Sequence, residues 1–531
     1  AYDKDVAEEA GFVKFDFLGL TTLVVIDEAL KIIEKRTGKK IDIDEIEDGD
    51  TDVYDMISRG ETKCIFQLEA SLTPLCKAIK PKSIDDLGII TTIGRPGVPP
   101  DERQEYVDRR FGRKPVEVLD PKMSNSTKDT FGILVFEEQL MFLAQDVAGW
   151  DFNKSDALRK ITKLKDKGLE LQIKTGKEFI TDAVKNGMTE ETAKEVWAKI
   201  VVFGKYSFNN SHAVSYSYLS YQTAWLKYHY PTEFMCAVIN NEDPNSDKVQ
   251  EYKQLAKEMG IEITPPDITN AQLKYEVVGD KKIVTGLLAI KGIGDGAIEQ
   301  IVQNRPYRTF PEFIMKSIGT KGNRSAITKT VIDSLVKSGC FDTLDITRKN
   351  ALEQWPEIKK KITNAIKKSI KNNTDLDISG VMSHIDNNDE YDKKQVLQYE
   401  MEVIGHYLTG THNDIYSGFF KGGSSITALD QINNAKGGST VKVEAIVKLK
   451  VKELKIKKPG KNKGKMFAKY LLEDVNGKTA ELTLWPDHYE QFKNVLIDGI
   501  PIRAFCEVNE YMDSKSLVLR RIEQLAEKRV K

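Results

Sequence analysis

The 531-residue sequence has five cysteines, an odd number, and none of them forms a CxxC pair. Cys64, Cys76, Cys236, Cys340 and Cys506 are scattered, which argues against a disulfide framework and a cysteine zinc site and fits buried, reduced thiols in a cytoplasmic protein. The six histidines include no HxxxH spacing, so no histidine zinc motif is present either. No apolar run approaches the roughly 18 residues that a membrane span needs, and no secretory segment opens the sequence, so no membrane partner is expected. Net charge is also lacking: the formal value is −1, and the chain as a whole does not announce a polyanionic partner.

Hydrophobic residues make up 40% and charged residues 30%, values of a soluble globular protein, and the length allows several cores. Charge is segregated: 41–55 is acidic, whereas 359–371 and 448–465 are densely basic. A lysine run by itself reads as a solvated face, yet local patches set the field that a phosphate feels. The sequence opens at Ala1 inside an acidic, helix-like stretch and reads as a piece of a longer chain.

Residues 13–18 (VKFDFL) alternate apolar and polar, the period of a strand. Residues 22–35 carry apolar side chains at helical spacing up to Gly38, and 55–90 hold short helical patterns broken at Pro74 and Pro81. The spacing predicts mostly helix over 130–235, including amphipathic tracts at 139–147 and 189–201. Pro265-Pro266 marks an expected domain boundary, two glycine-hairpin units occupy 286–350, and 370–392 reads as a polar linker. Beyond Gly437-Gly438 come five predicted strands (441–450, 467–474, 480–485, 501–508, 516–522), a turn at Asn476-Gly477 and a helix at 489–496. That pattern predicts a five-stranded barrel of the OB type.

Lys14 and Asp16 are two apart on the expected strand, so both project from one face. A carboxylate that can hold Mg²⁺ beside an ammonium that can meet a triphosphate oxygen suits phosphoryl transfer, although KxD alone reads as a salt pair on a wet strand. The stretch VKFDFLGL, followed by an aliphatic helix, resembles the palm motif of the family-C replicative DNA polymerases, the alpha subunits of bacterial DNA polymerase III. The resemblance implies that Lys14 contacts the nucleotide triphosphate and that Asp16 is a catalytic residue, one of three carboxylates holding Mg²⁺. In the family the other two lie on an upstream PDxD-like segment, and none precedes residue 16 here, so an upstream polymerase half carrying the remaining palm is an expected partner.

Further motifs follow in the family's order. Residues 60–69 (GETKCIFQLE) resemble GxTxGVFQLES, with Lys63 and Cys64 in place of small residues, and Arg95-Pro96-Gly97 resembles YRPGP with Gly94 where an aromatic is usual. Glu137-Glu138-Gln139 with Ala144-Gln145 resembles YQEQ...IAQ, and 156–160 (DALRK) resembles DLLRRAMGKK of the fingers. Residues 208–212 (FNNSH), 220–227 (SYQTAWLK) and 229–235 (HYPTEFM) resemble FNKSHSxxYxxxSYQTAWLKxHYPxEFM, with Asn210 replacing a lysine. The resemblance implies nucleotide binding by Arg95, Arg159, Lys160, Ser211 and His212 together with Lys14. By spacing alone, Arg159, Lys160 and Lys163 share much of a helix face, which is either a phosphate patch or an ordinary charged one. His212 is either bonded to phosphate or satisfied in a core.

The run 286–298 (GLLAIKGIGDGAI) looks like a helix-hairpin-helix in which Lys291, Gly292 and Gly294 grip a DNA phosphate at a helix N-terminus, and 335–342 (LVKSGCFD) resembles its paired unit. In the barrel, Phe467, Tyr470 and Trp485 are candidates for base stacking, although alternation places some of them in the core, and Lys457, Lys458, Lys461 and Lys463 are candidates for single-strand phosphates. Residues 399–408 resemble the YEKEVLGFYLSGHP stretch. A sliding clamp is a further candidate partner, although 372–386 hold no clear QxxLF pattern.

These readings predict a multidomain α+β chain: the end of a palm (1–22), mostly helical fingers (23–265), a tandem helix-hairpin-helix domain (266–420) and an OB-fold (436–525). The implied activity is that of a DNA-directed DNA polymerase acting on primer–template DNA and deoxynucleoside triphosphates. The rival reading is a non-catalytic DNA-binding or scaffold half of a replisome.

Overall fold

The computed structural model describes residues 10–12, 19–162, 169–243, 246–318, 325–344, 346–376, 381, 389–410, 412–420, 422, 425–456, 460–497, 499–511 and 514–525. The expected strand at 13–18 with Lys14 and Asp16 lies outside these residues, as do Lys163, Lys457 and Lys458. Among the described residues no helix is long and apolar enough to cross a membrane.

The described residues form five apolar cores, of which the first three interleave along the sequence. The helix Thr21–Thr37 buries Ile26, Ala29 and Ile33 on one stripe and stops at Gly38, whose φ of 71° lets its N–H reach the Glu34 carbonyl. Its core is shared with the helices Pro231–Asn240 and Asp247–Glu258 and with Ile263 and Ile283 of a small sheet. In that sheet β1 (Glu262–Thr264) pairs in parallel with β3 (Lys282–Val284), and β2 (Glu276–Val277) pairs antiparallel to β3. Pro265-Pro266 lies in the chain between β1 and its parallel partner β3. Ile268 and Ala271 enter the next core and Ile283 returns to the earlier one.

A second core surrounds the 20-residue helix Asn210–His229, which packs on the helix Ile84–Ile93 where Gly88 faces Ala213 and Ser217. Pro74, read as a breaker, instead sits in the first turn of the helix Thr73–Ile79, where its missing N–H has no intrahelical role. A third core gathers Glu137–Ala148, Phe152–Thr162, Leu169–Lys185 and Glu190–Gly204 around buried Phe179, with Trp150 edge-on to that ring.

The fourth core holds the helices Asp295–Gln303, Phe310–Lys316, Lys329–Lys337, Arg348–Asn372 and Lys393–Val403. A buried ionic knot ties them. Arg348 donates to Asp342 at 2.8 Å and to Glu400 at 3.1 Å, while fully buried Glu400 also accepts from the N–H groups of Leu408 and Thr409.

The fifth core is a closed barrel of β4 (Thr440–Lys455), β5 (Met466–Glu473), β6 (Thr479–Leu484), β7 (Pro501–Tyr511) and β8 (Ser514–Gln524). β4 pairs with both β5 and β7, and β6 runs parallel to β8, a closed five-stranded arrangement consistent with an OB-fold. The barrel helix is Pro486–Phe492 rather than 489–496, because Pro486 supplies the preset first turn. All five cysteines are free, and burial pushes the Cys76, Cys340 and Cys506 thiols up to about 12, so they are unreactive at neutral pH.

The helix Asp247–Glu258 joins three of these units. Lys253 is buried with its Nζ 3.3 Å from His406 Nδ1 and over the Tyr275 ring; Lys257 donates to the Tyr407 carbonyl and Lys448 donates to Gln254. Burial, with Lys257 nearby, pushes Lys253 down to about 7 and His406 well below its usual value. The unfolded lysine keeps its proton up to its ordinary pKa, so stability rises with pH above about 7 as the folded amine loses its charge. Lys253→Met should therefore raise stability by about 1–3 kcal/mol at pH 6 and erase that rise between pH 7 and 10, as read by urea unfolding. By contrast, Arg348→Ala should cost about 3 kcal/mol in the same assay, because it strands the Glu400 carboxylate without its cation.

Candidate nucleotide and nucleic-acid interface

Three stretches distant in sequence meet at Phe208. Phe136 and Phe208 form an isolated parallel bridge, and the Glu137 N–H donates to the Phe208 carbonyl at 2.9 Å. The Glu138 carboxylate accepts from Asn209 Nδ2 at 2.6 Å and from the Asn210 main-chain N–H at 2.9 Å. Asn209 in turn caps the helix by accepting from the His212 N–H at 2.8 Å. Asn210, where the family carries lysine, thus meets Glu138 through its backbone.

On the outside of this junction four rings and a guanidinium form a ladder. The Arg95 guanidinium lies 3.9 Å from the Phe208 ring centre, and His212 stands edge-on to Phe208 at 5.1 Å. His212 stacks on Tyr216 at 4.1 Å, and Tyr216 meets Phe66 at 5.5 Å. Arg95, Ser211 and His212 are exposed and the other rings half-buried, so His212 is not a core histidine. The ladder offers a guanidinium for phosphate and flat ring faces for a base.

The Arg95 loop is fixed by packing. Gly94 has no room for a Cβ, which would collide with Leu72 and the Ile90 carbonyl, so this chain cannot carry an aromatic there without moving Leu72. Arg103 donates to the Arg95 and Val98 carbonyls at 2.7 and 3.0 Å and closes the turn.

Phe66 owes its position to the same long helix. Thr223 Oγ1 accepts from the Phe66 N–H at 3.1 Å, and the buried Lys227 ammonium donates to the Glu61 and Lys63 carbonyls at 2.6 and 2.8 Å. Burial pushes Lys227 below its usual pKa. Cys64 stands in this loop at φ 64°, the left-handed region that suits the small residue of the family pattern.

Arg159 and Lys160 differ from the expected open phosphate patch. Arg159 donates to Asp156 at 2.8 Å and reaches Glu137 at 3.4 Å, and Lys160 pairs with the other Asp156 oxygen at 2.8 Å. The pairing with Lys160, then Arg159, holds the Asp156 carboxyl below its ordinary range. A phosphate has to compete with Asp156 for both cations. The spacing of Arg159 and Lys160 was readable, but Glu137 arrives from another helix.

In the hairpin unit, Lys291, Gly292 and Gly294 are exposed around buried Ile293, and Gly292 has φ 87°. Gly294 caps the helix Asp295–Gln303, so its first turn faces outward. The paired turn is closed instead: Gly339 is buried, and a Cβ there would collide with Arg348. On the barrel, Tyr470 is buried in the core by strand alternation, whereas Phe467 stacks on Trp485, which is 44% exposed. Lys461 and Lys463 are exposed on the β4–β5 loop. Among the described residues no three His, Cys, Asp or Glu side chains come together to hold a metal ion.

Residues 22–187 match the family model of the bacterial DNA polymerase III alpha subunit finger domain, and residues 260–351 match a helix-hairpin-helix motif. The chain is 32% identical over 529 residues to the DNA polymerase III subunit alpha of Aquifex aeolicus, covering 98% of this chain and 43% of that protein. It is 31% identical to the same subunit of Thermus aquaticus (96% and 41%) and 30% identical to that of Borreliella burgdorferi (100% and 46%). The chain therefore spans less than half the length of these curated relatives. The ordered motifs, the finger-domain match and the likeness across nearly the whole chain place it in the family of bacterial DNA polymerase III alpha subunits.

Proposed function

We propose that the chain is the fingers, hairpin and barrel portion of a replicative DNA-directed DNA polymerase that adds deoxynucleotides to a primer 3′-hydroxyl on a template. The observation that carries this reading is the ladder at Phe208. It gathers Arg95, His212, Tyr216 and Phe66 from separate motifs onto one exposed surface with a cation at one end. In this reading the ladder takes the incoming deoxynucleoside triphosphate, with Arg95 and Ser211 toward its phosphates, His212 and Tyr216 along its base or sugar, and Arg159 and Lys160 in reserve behind Asp156. The open hairpin turn at Lys291, Gly292 and Gly294 grips duplex backbone, and the Trp485 side of the barrel with Lys457, Lys458, Lys461 and Lys463 takes single-stranded template.

Mg²⁺ belongs to this proposal through Asp16, with Lys14 beside it to meet the triphosphate. Its two further carboxylates come with the part of the relatives that this chain does not span. When bound there it would neutralise charge on the transferring phosphoryl group. The chain's own described residues supply binding and orientation: they hold the triphosphate and base in line with the primer end. A sliding clamp is a candidate partner of the whole assembly.

Arg95→Ala and His212→Ala, each introduced into the polymerase reconstituted with its remaining palm, should raise KM for the nucleotide about tenfold, with duplex affinity unchanged. Single-nucleotide incorporation and duplex binding measured together check this; unaltered KM in both variants contradicts the ladder's role. Asp16→Asn in the same assembly should lower turnover at least about a hundredfold while DNA binding persists. Near-normal extension by that variant would remove Asp16 from the metal set, and an assembly that binds DNA but never extends a primer would favour a scaffold.

A further inference from the structure

The helix Arg348–Asn372 is 25 residues long and packs on the core as far as Ile366. Trp355, Ile358 and Ile362 are buried on one face, Trp355 donating to Asp333 at 3.0 Å. Beyond Ile366 it leaves that core and ends with Ile370 at 76% exposure. From 360 to 371, Lys360, Lys361, Lys367, Lys368 and Lys371 are all exposed. At 100° per residue these five fall within roughly a third of the helix circumference, on the side opposite Ile358 and Ile362.

A solvated helix face ordinarily mixes signs. Elsewhere in this chain exposed lysines pair one turn away, as Lys31 does with Asp27 and Lys194 with Glu190. Between Lys359 and Asn372 there is no acidic residue, and among the described residues the five lysines make one ion pair, Lys360 with Glu357 at 3.7 Å. Lys367 and Lys371 stand four apart, a like-charge spacing that costs helix stability. Attraction of cations to the helix C-terminus accounts for the last turn alone. The chain's net charge of −1 shows that this accumulation is local.

The opposite, buried side of this helix faces the hairpin unit. Gly292 packs toward Thr330 and Ser334 of the helix Lys329–Lys337, and the neighbouring Asp333 accepts from Trp355 on the basic helix. The second hairpin turn is filled by Arg348, so the hairpin unit presents one phosphate-facing turn. We propose that the lysine face of residues 360–371 is a second, sequence-independent contact of this unit with the phosphates of duplex DNA. It rests on the polymerase reading above. From Lys360 to Lys371 the face spans about 17 Å, long enough to follow several phosphates of one strand.

The test uses the full chain with all five lysines changed to Gln, which keeps helix propensity, and a second variant with all five changed to Arg, which keeps charge. Binding to a random-sequence duplex is measured by fluorescence anisotropy across a salt series, with circular dichroism confirming helix content. The slope of log affinity against log salt should fall by about four in the Gln variant, from ~0.9 per contact, and stay unchanged in the Arg variant. Lys291→Gln, measured alongside, should remove about one further unit. An unchanged slope in a folded Gln variant overturns the proposal and marks the face as a site for an acidic protein or as solvated surface. Absence of duplex binding by the unsubstituted chain overturns the DNA-gripping reading itself.

Discussion

The fingers depend on one helix that satisfies the backbone of segments with no regular structure of their own. Around the short helix Thr51–Ser58, the loops from 43 to 50 and 59 to 69 have backbone polar groups that need partners from side chains. The helix Asn210–His229 supplies them: Tyr221 donates to the Glu47 carbonyl, Gln222 to Ile43, and Lys227 to Glu61 and Lys63, while Thr223 accepts from Phe66. The SYQTAWLK stretch is thus a set of backbone anchors. Burying an ammonium is costly, and Lys227 persists because two carbonyls accept from it in fixed positions.

The same helix carries His212 and Tyr216 of the ladder, so anchoring and candidate site are mechanically one object. Its first turn is held by Glu138, its first and second present His212 and Tyr216, and its later turns fix the loop that brings Phe66 alongside. Charge is distributed by a different rule. Near the ladder the cations Arg159 and Lys160 are tied to Asp156, whereas among the described residues Lys361, Lys367, Lys368 and Lys371 of the helix Arg348–Asn372 make no ion pair. Paired cations keep a surface ordered and selective, and open ones create a field that acts without geometry.

Much of this was legible in the sequence where periodicity or turn chemistry is local. The helix ending at Gly38, the five barrel strands and the glycine hairpin follow from spacing and from φ demands. Phe208, His212 and Tyr216 recur every four residues, a helical spacing that could have been read as one face. What could not be read is pairing across distance. Phe66 and Glu138 join the ladder from segments about 140 and 70 residues away, and Glu137 reaches Arg159 from another helix. The sheet spanning Pro265-Pro266 escaped because its strands have only two or three residues, too short for a period to show. Tyr470 looked like a stacking residue and is core, since alternation alone does not say which face of a barrel strand points inward.

The central claim is that the ladder beside Phe208 holds the incoming nucleotide. The most direct measurement is photocrosslinking of an azido-deoxynucleoside triphosphate to the assembled polymerase on primer–template, followed by peptide mapping. The account predicts adducts in 208–216 and at Phe66, competed by the unmodified nucleotide that pairs with the template. Labelling confined to the barrel or to the hairpin unit, with none at the ladder, would contradict it.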